Sequence, residues 1–292
     1  MSKITPRAEG LIAINLAAVI FGSAALYGKM DISPFWIVAM RAAFAAGALT
    51  LLAKLRGMFV PLAKQYYGVM AGTGAILAMH WLTFFASVQW AGIAIATLTF
   101  AAFPLFTVLF EAIAHKRAPH IKGIVAGGMI ILAVALLMGE AADGQEKLLG
   151  TLAGLASAIT FAVFGLASKR MGQALSPLTI SIYQNAVVAI SMAAFLPFAL
   201  PMPSTAAHWG LLLLLGVLTT ALMHQLYFYA LRRLSASTCS GFVALEPVYA
   251  IIFAALFFNE AITLWVAASG ALILLASFIL LSQENKAAEA QH

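Results

Sequence analysis

Apolar residues run through this chain in long stretches, separated by short polar breaks, and no stretch alternates with a period of two. A helix needs about 20 apolar residues to cross the hydrocarbon core of a bilayer. The pattern predicts ten such spans, at 10–28, 34–53, 66–88, 93–114, 120–138, 149–168, 176–199, 207–230, 237–258 and 262–281. Pro34, Pro61, Pro119 and Pro177 sit at or near the breaks, where a missing N–H costs least. Barrel strands would be shorter and alternating, so that reading fails. MSKITPRAEG leads straight into the first apolar stretch with no small-residue cleavage site, and is read as the start of span one, not as a signal peptide. The expected fold is therefore an all-α integral membrane protein with ten transmembrane helices.

Composition agrees. The chain is 63% hydrophobic and 9% charged, whereas a soluble domain runs near ~25% charged. The net charge of +6 raises nucleic acid as a partner, but the charges are sorted by loop. With the N-terminus in the cytoplasm, thirteen Lys and Arg residues fall on the inner side and only Lys29 and Lys147 on the outer side, with Arg41 inside a span. The inner set includes Lys3, Arg7, Lys54, Arg56, Lys116, Arg117, Lys169, Arg170, Arg232 and Arg233. That bias is the positive-inside signal of a membrane protein. It places both termini in the cytoplasm and removes nucleic acid from consideration. Asp31, Glu140, Asp143, Glu146 and Glu260 collect on the outer side. Cys239 is the only cysteine, so no intrachain disulfide forms.

The chain also repeats itself. The segment HWLTFFASVQWAGIAIATLTFAAFP from His80 has an echo in HQLYFYALRRLSASTCSGFVALEP from His224, with one residue of slack. His80 meets His224, Phe84 meets Phe228, Pro104 meets Pro247 and Phe110 meets Phe253. Earlier in each copy Phe21 matches Phe161, Ser33-Pro34 matches Ser176-Pro177, and Arg41 stands opposite Gln184. Histidine and proline are rare here, so chance is a poor explanation. The unit spans five helices, which divides the chain into 1–140 and 141–292. Five is odd, so the two halves are expected to be inverted in the membrane. Inverted halves are a recurrent plan of secondary transporters, because each half can adopt the shape the other has just left. Small-residue pairs such as Gly68/Gly72 and Gly150/Gly154 are read as helix-packing positions.

These features resemble the drug/metabolite transporter superfamily, in its EamA branch of ten-span proteins with two five-span repeats. The resemblance rests on the short connection from Gln89 to Gly92, FAAFPLF around Pro104, LEPVYA at Glu246-Pro247, FFNE ending at Glu260, and Arg41 after Ser33-Pro34. It covers essentially the whole chain, and within the branch it is similar to bacterial amino-acid exporters of the YddG type. One departure is that Arg117 stands in the first half where Glu260 ends the second-half motif. The resemblance implies a bacterial inner-membrane exporter of amino acids or other small organic solutes, working by alternating access. It implies a central cavity lined by spans 1, 3, 4, 6, 8 and 9. Export of drugs or other metabolites is the alternative.

Polar groups inside hydrocarbon are costly unless paired or wetted, so each is a candidate site residue. His80, Trp81 and Phe84 give an aromatic face with one donor or acceptor, and His224 with Tyr227 repeats it; the alternative for His80 is a packed histidine hydrogen-bonded to a neighbouring helix. Thr99 and Tyr249 are further candidates for substrate contact; Thr97 and Thr99 have the alternative of bonding their own helix backbone. Glu246 falls near the middle of a span, before Pro247. It is a proton-coupling site, a contact for a substrate ammonium, or one half of an ion pair with Arg41. Arg41 in turn holds a substrate carboxylate, pairs with Glu246, or snorkels. Pro104 and Pro247 break their helices and shape moving parts. Trp36, Trp90 and Trp209 are expected at the interface. An enzyme would need a constellation of its own: HExxH, GxSxG and a phosphate loop are all missing. A membrane-embedded enzyme is thereby the weakest reading. No metal, no cofactor and no obligate protein partner are expected, only a small solute and the lipid bilayer.

Overall fold

A computed structural model describes residues 5–114, 116, 121–141, 144–171, 174–234, 239, 242–243 and 245–289. Lys3, Arg117 and Asp143 lie outside the described residues, as do the side chains of Glu140, Lys169, Arg170 and Phe228. Within the described residues every regular element is helical.

Helix starts are set by capping chemistry written in the sequence. Thr5 accepts from Ala8 N–H at the head of α1 (Pro6–Ser23), which runs into a 3₁₀ turn, Ala24–Lys29. Ser33 accepts from Phe35 N–H at the head of α2 (Pro34–Leu55). Ser176 accepts from Thr179 N–H at the head of α8 (Pro177–Ala193). In all three the cap is followed by proline at the first helical position, which has no N–H to satisfy. The matched Ser-Pro pairs of the two halves thus do the same work.

α3 (Tyr67–Ala91) ends at Gly92, whose φ of +88° turns the chain directly into α4 (Ile93–Phe100). The turn at Ala101–Ala102, just before Pro104, separates α4 from α5 (Phe103–Ala114). The predicted fourth span is therefore a broken helix. α6 (Ile121–Ala141) and α7 (Gln145–Met171) follow, then α8. α9 (Ala206–Gly216) continues through a π-helical segment, Val217–Leu222, into α10 (Met223–Leu231). The last elements are α11 (Glu246–Phe258) and α12 (Leu264–Glu289).

Among the described residues, seven helical stretches are long and apolar enough to cross a membrane, from Pro6–Lys29 to Ala206–Tyr227. Three shorter apolar helices, Pro177–Ala193, Glu246–Phe258 and Leu264–Ile279, occupy the remaining positions where the pattern placed spans. The protein is a multi-pass helical membrane protein.

The packing is ordered. α3 lies on α7 and α8, while α1 lies on α10 and α2 lies on α8 and α9. α6 lies on α12, α4 and α5 lie on α7, and α11 lies on α1 and α4. Glycines allow the closest approaches. A Cβ on Gly22 would stand 2.7 Å from Tyr249 Cβ and 3.0 Å from Glu246 O, so α1 sits directly against the head of α11. A Cβ on Gly216 would stand 2.7 Å from Arg41 O, which places α9 directly against α2. A Cβ on Gly154 would overlap the Thr99 hydroxyl. The Gly150/Gly154 pair is a packing position, whereas Gly68 and Gly72 have open space around them.

Candidate functional site

A cavity of about 440 Å³ lies between the helices. Four residue pairs that the sequence repeat matches all line it: Phe21 with Phe161, Arg41 with Gln184, His80 with His224, and Pro104 with Pro247. Trp81, Tyr227 and Glu246 complete the predicted residues in its wall. From the level of Arg41 the lining extends toward Thr107 and Glu111, away from the end of the bundle that holds Lys29.

Arg41 is 3% exposed. Its Nε donates to Thr220 Oγ1 at 2.8 Å, and its guanidinium carbon lies 4.1 Å from the centre of the Trp81 ring. The acceptor is presented by the π-helical segment: Thr219 and Thr220 both donate back to Leu215 O, at 2.6 and 3.2 Å. Widening the helix there turns Thr220 toward α2, an arrangement that often marks functional sites. The stacked indole face offsets part of the cost of burying the cation.

Glu246 is 6% exposed and lines the same cavity. Among the described residues nothing hydrogen-bonds its carboxyl, and no direct ion pair joins it to Arg41, although the two interact electrostatically. Of the alternatives for this residue, direct pairing with Arg41 is not seen here, and the two side chains stand apart on one cavity. Glu246 also stands in the first turn of α11 and not in mid-helix, because the helix begins at that residue.

His80 is tied across the bundle. Its Nδ1 lies 2.8 Å from Ser157 Oγ and 3.1 Å from Ser157 O on α7. Its ring stands 5.1 Å from Phe100 and 4.8 Å from Phe161, centre to centre. His224 is held within its own helix, with Nδ1 at 2.6 Å from Thr220 O. Gln184 donates to Thr73 and Ser168, each at 3.2 Å, and Asn185 Nδ2 donates to Ser181 O at 2.8 Å. Asn185 Oδ1 is buried and meets no donor among the described residues.

Three predicted contacts lie elsewhere. Phe84 is packed behind the wall against Phe85 and Phe100. Thr99 donates to Ile95 O and Ala96 O of its own helix and packs on Gly154; Thr97 likewise serves its own backbone. Tyr249 donates to Asn15 Oδ1 at 3.0 Å on the outside of the bundle. Trp36 and Trp209 meet edge to face at the Lys29 end, where Trp36 Nε1 donates to Ala199 O at 3.0 Å.

The Lys29 end is tied together by Glu260. Its carboxylate meets Lys29 Nζ at 2.6 Å and accepts from Ile93 N–H at 3.1 Å and Ala94 N–H at 3.4 Å. One side chain thus joins the end of the 3₁₀ turn after α1, the head of α4 and the end of α11. At the opposite end Glu9 accepts from Tyr229 Oη at 2.8 Å and from Arg233 Nε at 3.3 Å.

The model of the EamA-like transporter family matches this chain twice, over residues 8–139 and 148–282. The chain belongs to the EamA-like transporter family. This transporter is 28% identical over 259 residues to the threonine/homoserine exporter RhtA of Escherichia coli strain K12, covering 84% of this chain and 82% of that protein. It is 22% identical over 253 residues to an uncharacterized transporter, YxxF, of Bacillus subtilis, covering 84% of this chain and 81% of that protein. A solved crystal structure superposes with a TM-score of 0.68 at 19% identity, over 94% of this chain and 97% of its own, a likeness of fold.

Sequence reasoning missed several residues around the transporter's cavity. Phe161 was visible only as the repeat partner of Phe21. Ser157 and Thr220 are ordinary helix residues in the sequence, and their roles arise because α7 meets α3 and the π segment meets α2. Phe100 and Phe103 sat in view beside Pro104 but carried no polar signal.

Proposed function

We propose that this transporter is a bacterial inner-membrane exporter of small organic solutes, most directly amino acids, working by alternating access through the central cavity. The observation that carries the reading is the lining of that cavity by repeat-matched pairs. Residues brought to one cavity from equivalent positions of two repeats belong on a pseudo-two-fold axis. The helix pairing supports the same axis: exchanging the first five spans for the last five turns α3·α7 into α1·α10 and α3·α8 into α2·α9, and leaves α2·α8 and α6·α12 unchanged. On this reading the repeats are 1–140 and 141–292, ten helices cross the membrane, and the halves are inverted.

The excess of Lys and Arg on one side supports a cytoplasmic position for both termini. The Lys29 end then faces outward, and Glu260 holds it shut while the cavity extends toward Glu111 on the cytoplasmic side. Breaking that tie and closing the Glu9–Arg233 end expose the same cavity to the outside. A cavity of about 440 Å³ suits a small organic solute. His80, Trp81, His224 and Tyr227 are proposed substrate contacts, with Pro104 and Pro247 at the breaks that let α5 and α11 move. Phe84, Thr99 and Tyr249 support the wall from behind in this conformation. The similarity to a threonine/homoserine exporter supports amino acids as cargo. The aromatic wall of Phe100, Phe103 and Phe161 favours the second reading, export of apolar drugs or other metabolites.

The test is counterflow in proteoliposomes. Vesicles loaded with unlabelled L-threonine, then other amino acids in turn, are expected to accumulate the labelled form. Folded protein that accumulates no amino acid removes the amino-acid reading and sends the search to apolar drugs.

A further inference from the structure

We propose that Arg41 and Glu246 are the two poles of a zwitterion site, Arg41 taking the carboxylate of an amino acid and Glu246 its ammonium. This assignment rests on the amino-acid reading above and names the residues that enforce it. Buried charges are normally paired, because an unpaired one forfeits its hydration. Here two opposite charges face one cavity, each almost fully buried, and they do not pair. If their role were mutual neutralisation, direct contact would be the low-energy arrangement.

Each charge is instead held in its own place. The Arg41 guanidinium is fixed along one edge by Thr220 Oγ1 and across one face by the Trp81 ring. That leaves Nη1 and Nη2 with no hydrogen bond among the described residues, in the fork geometry that grips a carboxylate with two parallel bonds. Glu246 is fixed by the approach of Gly22 to its backbone and by its place at the head of α11. The positive end of the helix dipole there favours a carboxylate that makes no direct ion pair among the described residues.

The chemistry recognised is therefore a small molecule carrying both charges. A simple amine leaves Arg41 buried and unmet, and a simple carboxylate does the same to Glu246. Either deficit discriminates more strongly than a gained contact would. The aromatic rings and His80 then face the side chain, and Glu111 lies farther along the lining, beyond Thr107.

The test is competition for bound, labelled L-threonine on purified protein, so that a variant that binds without transporting still reports. The competitors are 1-aminopropan-2-ol, which is threonine without its carboxylate, and 3-hydroxybutyrate, which is threonine without its ammonium. Wild-type protein is expected to prefer threonine to both. Glu246→Gln is nearly isosteric and is expected to lose its preference for threonine over 3-hydroxybutyrate by about tenfold or more. Its preference over the amine should remain. Arg41→Gln is expected to show the reverse, with Arg41→Lys restoring part of the wild-type preference. If the Arg41 variants do not fold, the Glu246→Gln arm decides alone. Threonine binding with wild-type selectivity unchanged in Glu246→Gln overturns the pole assignment and leaves the amino-acid reading standing. Wild-type protein that binds and carries no amino acid overturns both.

Discussion

α11 has a carboxylate at each of its two ends, and their surroundings are opposite. Glu260 at one end meets Lys29 and two backbone N–H groups. Glu246 at the other end meets no hydrogen-bond donor among the described residues and faces the cavity. Local chain geometry makes the difference. At the Glu260 end, Asn259 adopts a left-handed turn with φ of +53°, which asparagine tolerates, and Gly92 leaves space where a Cβ would stand 3.2 Å from Glu260 Oε1. At the Glu246 end Gly22 brings α1 in, but supplies no donor. A satisfied carboxylate ties helices together. An unsatisfied one beside a cavity is complementary to something that is not part of the chain.

Substitutions sharpen this contrast. The largest effect is expected from Glu246→Gln, in which counterflow of the transported amino acid falls by about tenfold to a hundredfold, the loss of one charge-assisted contact. The melting temperature should move little, because Glu246 makes no hydrogen bond or direct ion pair among the described residues. His80→Ala comes next: it removes the link to Ser157 and a polar point of the wall, and is expected to lower counterflow about fivefold, the equivalent of one ordinary hydrogen bond. Glu260→Gln is expected to act on closure. It should destabilise the protein by about 1–2 kcal/mol and speed deuterium uptake at Ile93 and Ala94, with substrate selectivity unchanged. A selectivity change in Glu260→Gln would break the contrast. The smallest effects are expected from Trp90→Ala and Tyr249→Phe, which should leave counterflow within about twofold of wild type, the scale of a surface change.

Much of this is legible in the sequence alone, and the reasons are physical. Span positions follow from hydropathy, because lipid forces backbone groups to pair within each helix. The pairing of Arg41 with Gln184 and of His80 with His224 followed from the repeat, and both pairs reach the cavity. What stayed hidden depends on how helices meet. The contact of Thr220 with Arg41 requires the π segment, which no residue pattern announces. The fates of Thr99 and Tyr249 were decided by rotation about their helix axes: Thr99 turns to Gly154 and Tyr249 to Asn15. Glu246 was recognised as an intramembrane acid, but its place at a helix head, apart from Arg41, required the arrangement of α1, α2 and α11. The repeat did not carry its environment along with its residues. His80 bonds across to α7, whereas His224 bonds back to its own helix.

The most direct test of the contrast between the two carboxylates is their reactivity toward a hydrophobic carbodiimide, read by mass spectrometry of the modified peptides. An unpaired carboxyl facing an apolar cavity is accessible to the reagent; one held by a lysine and two N–H groups is protected. The account predicts modification at Glu246, suppression of that modification by L-threonine or whichever amino acid is carried, and little modification at Glu260. Equal reaction at both positions, or reaction at Glu246 that no amino acid suppresses, would contradict it.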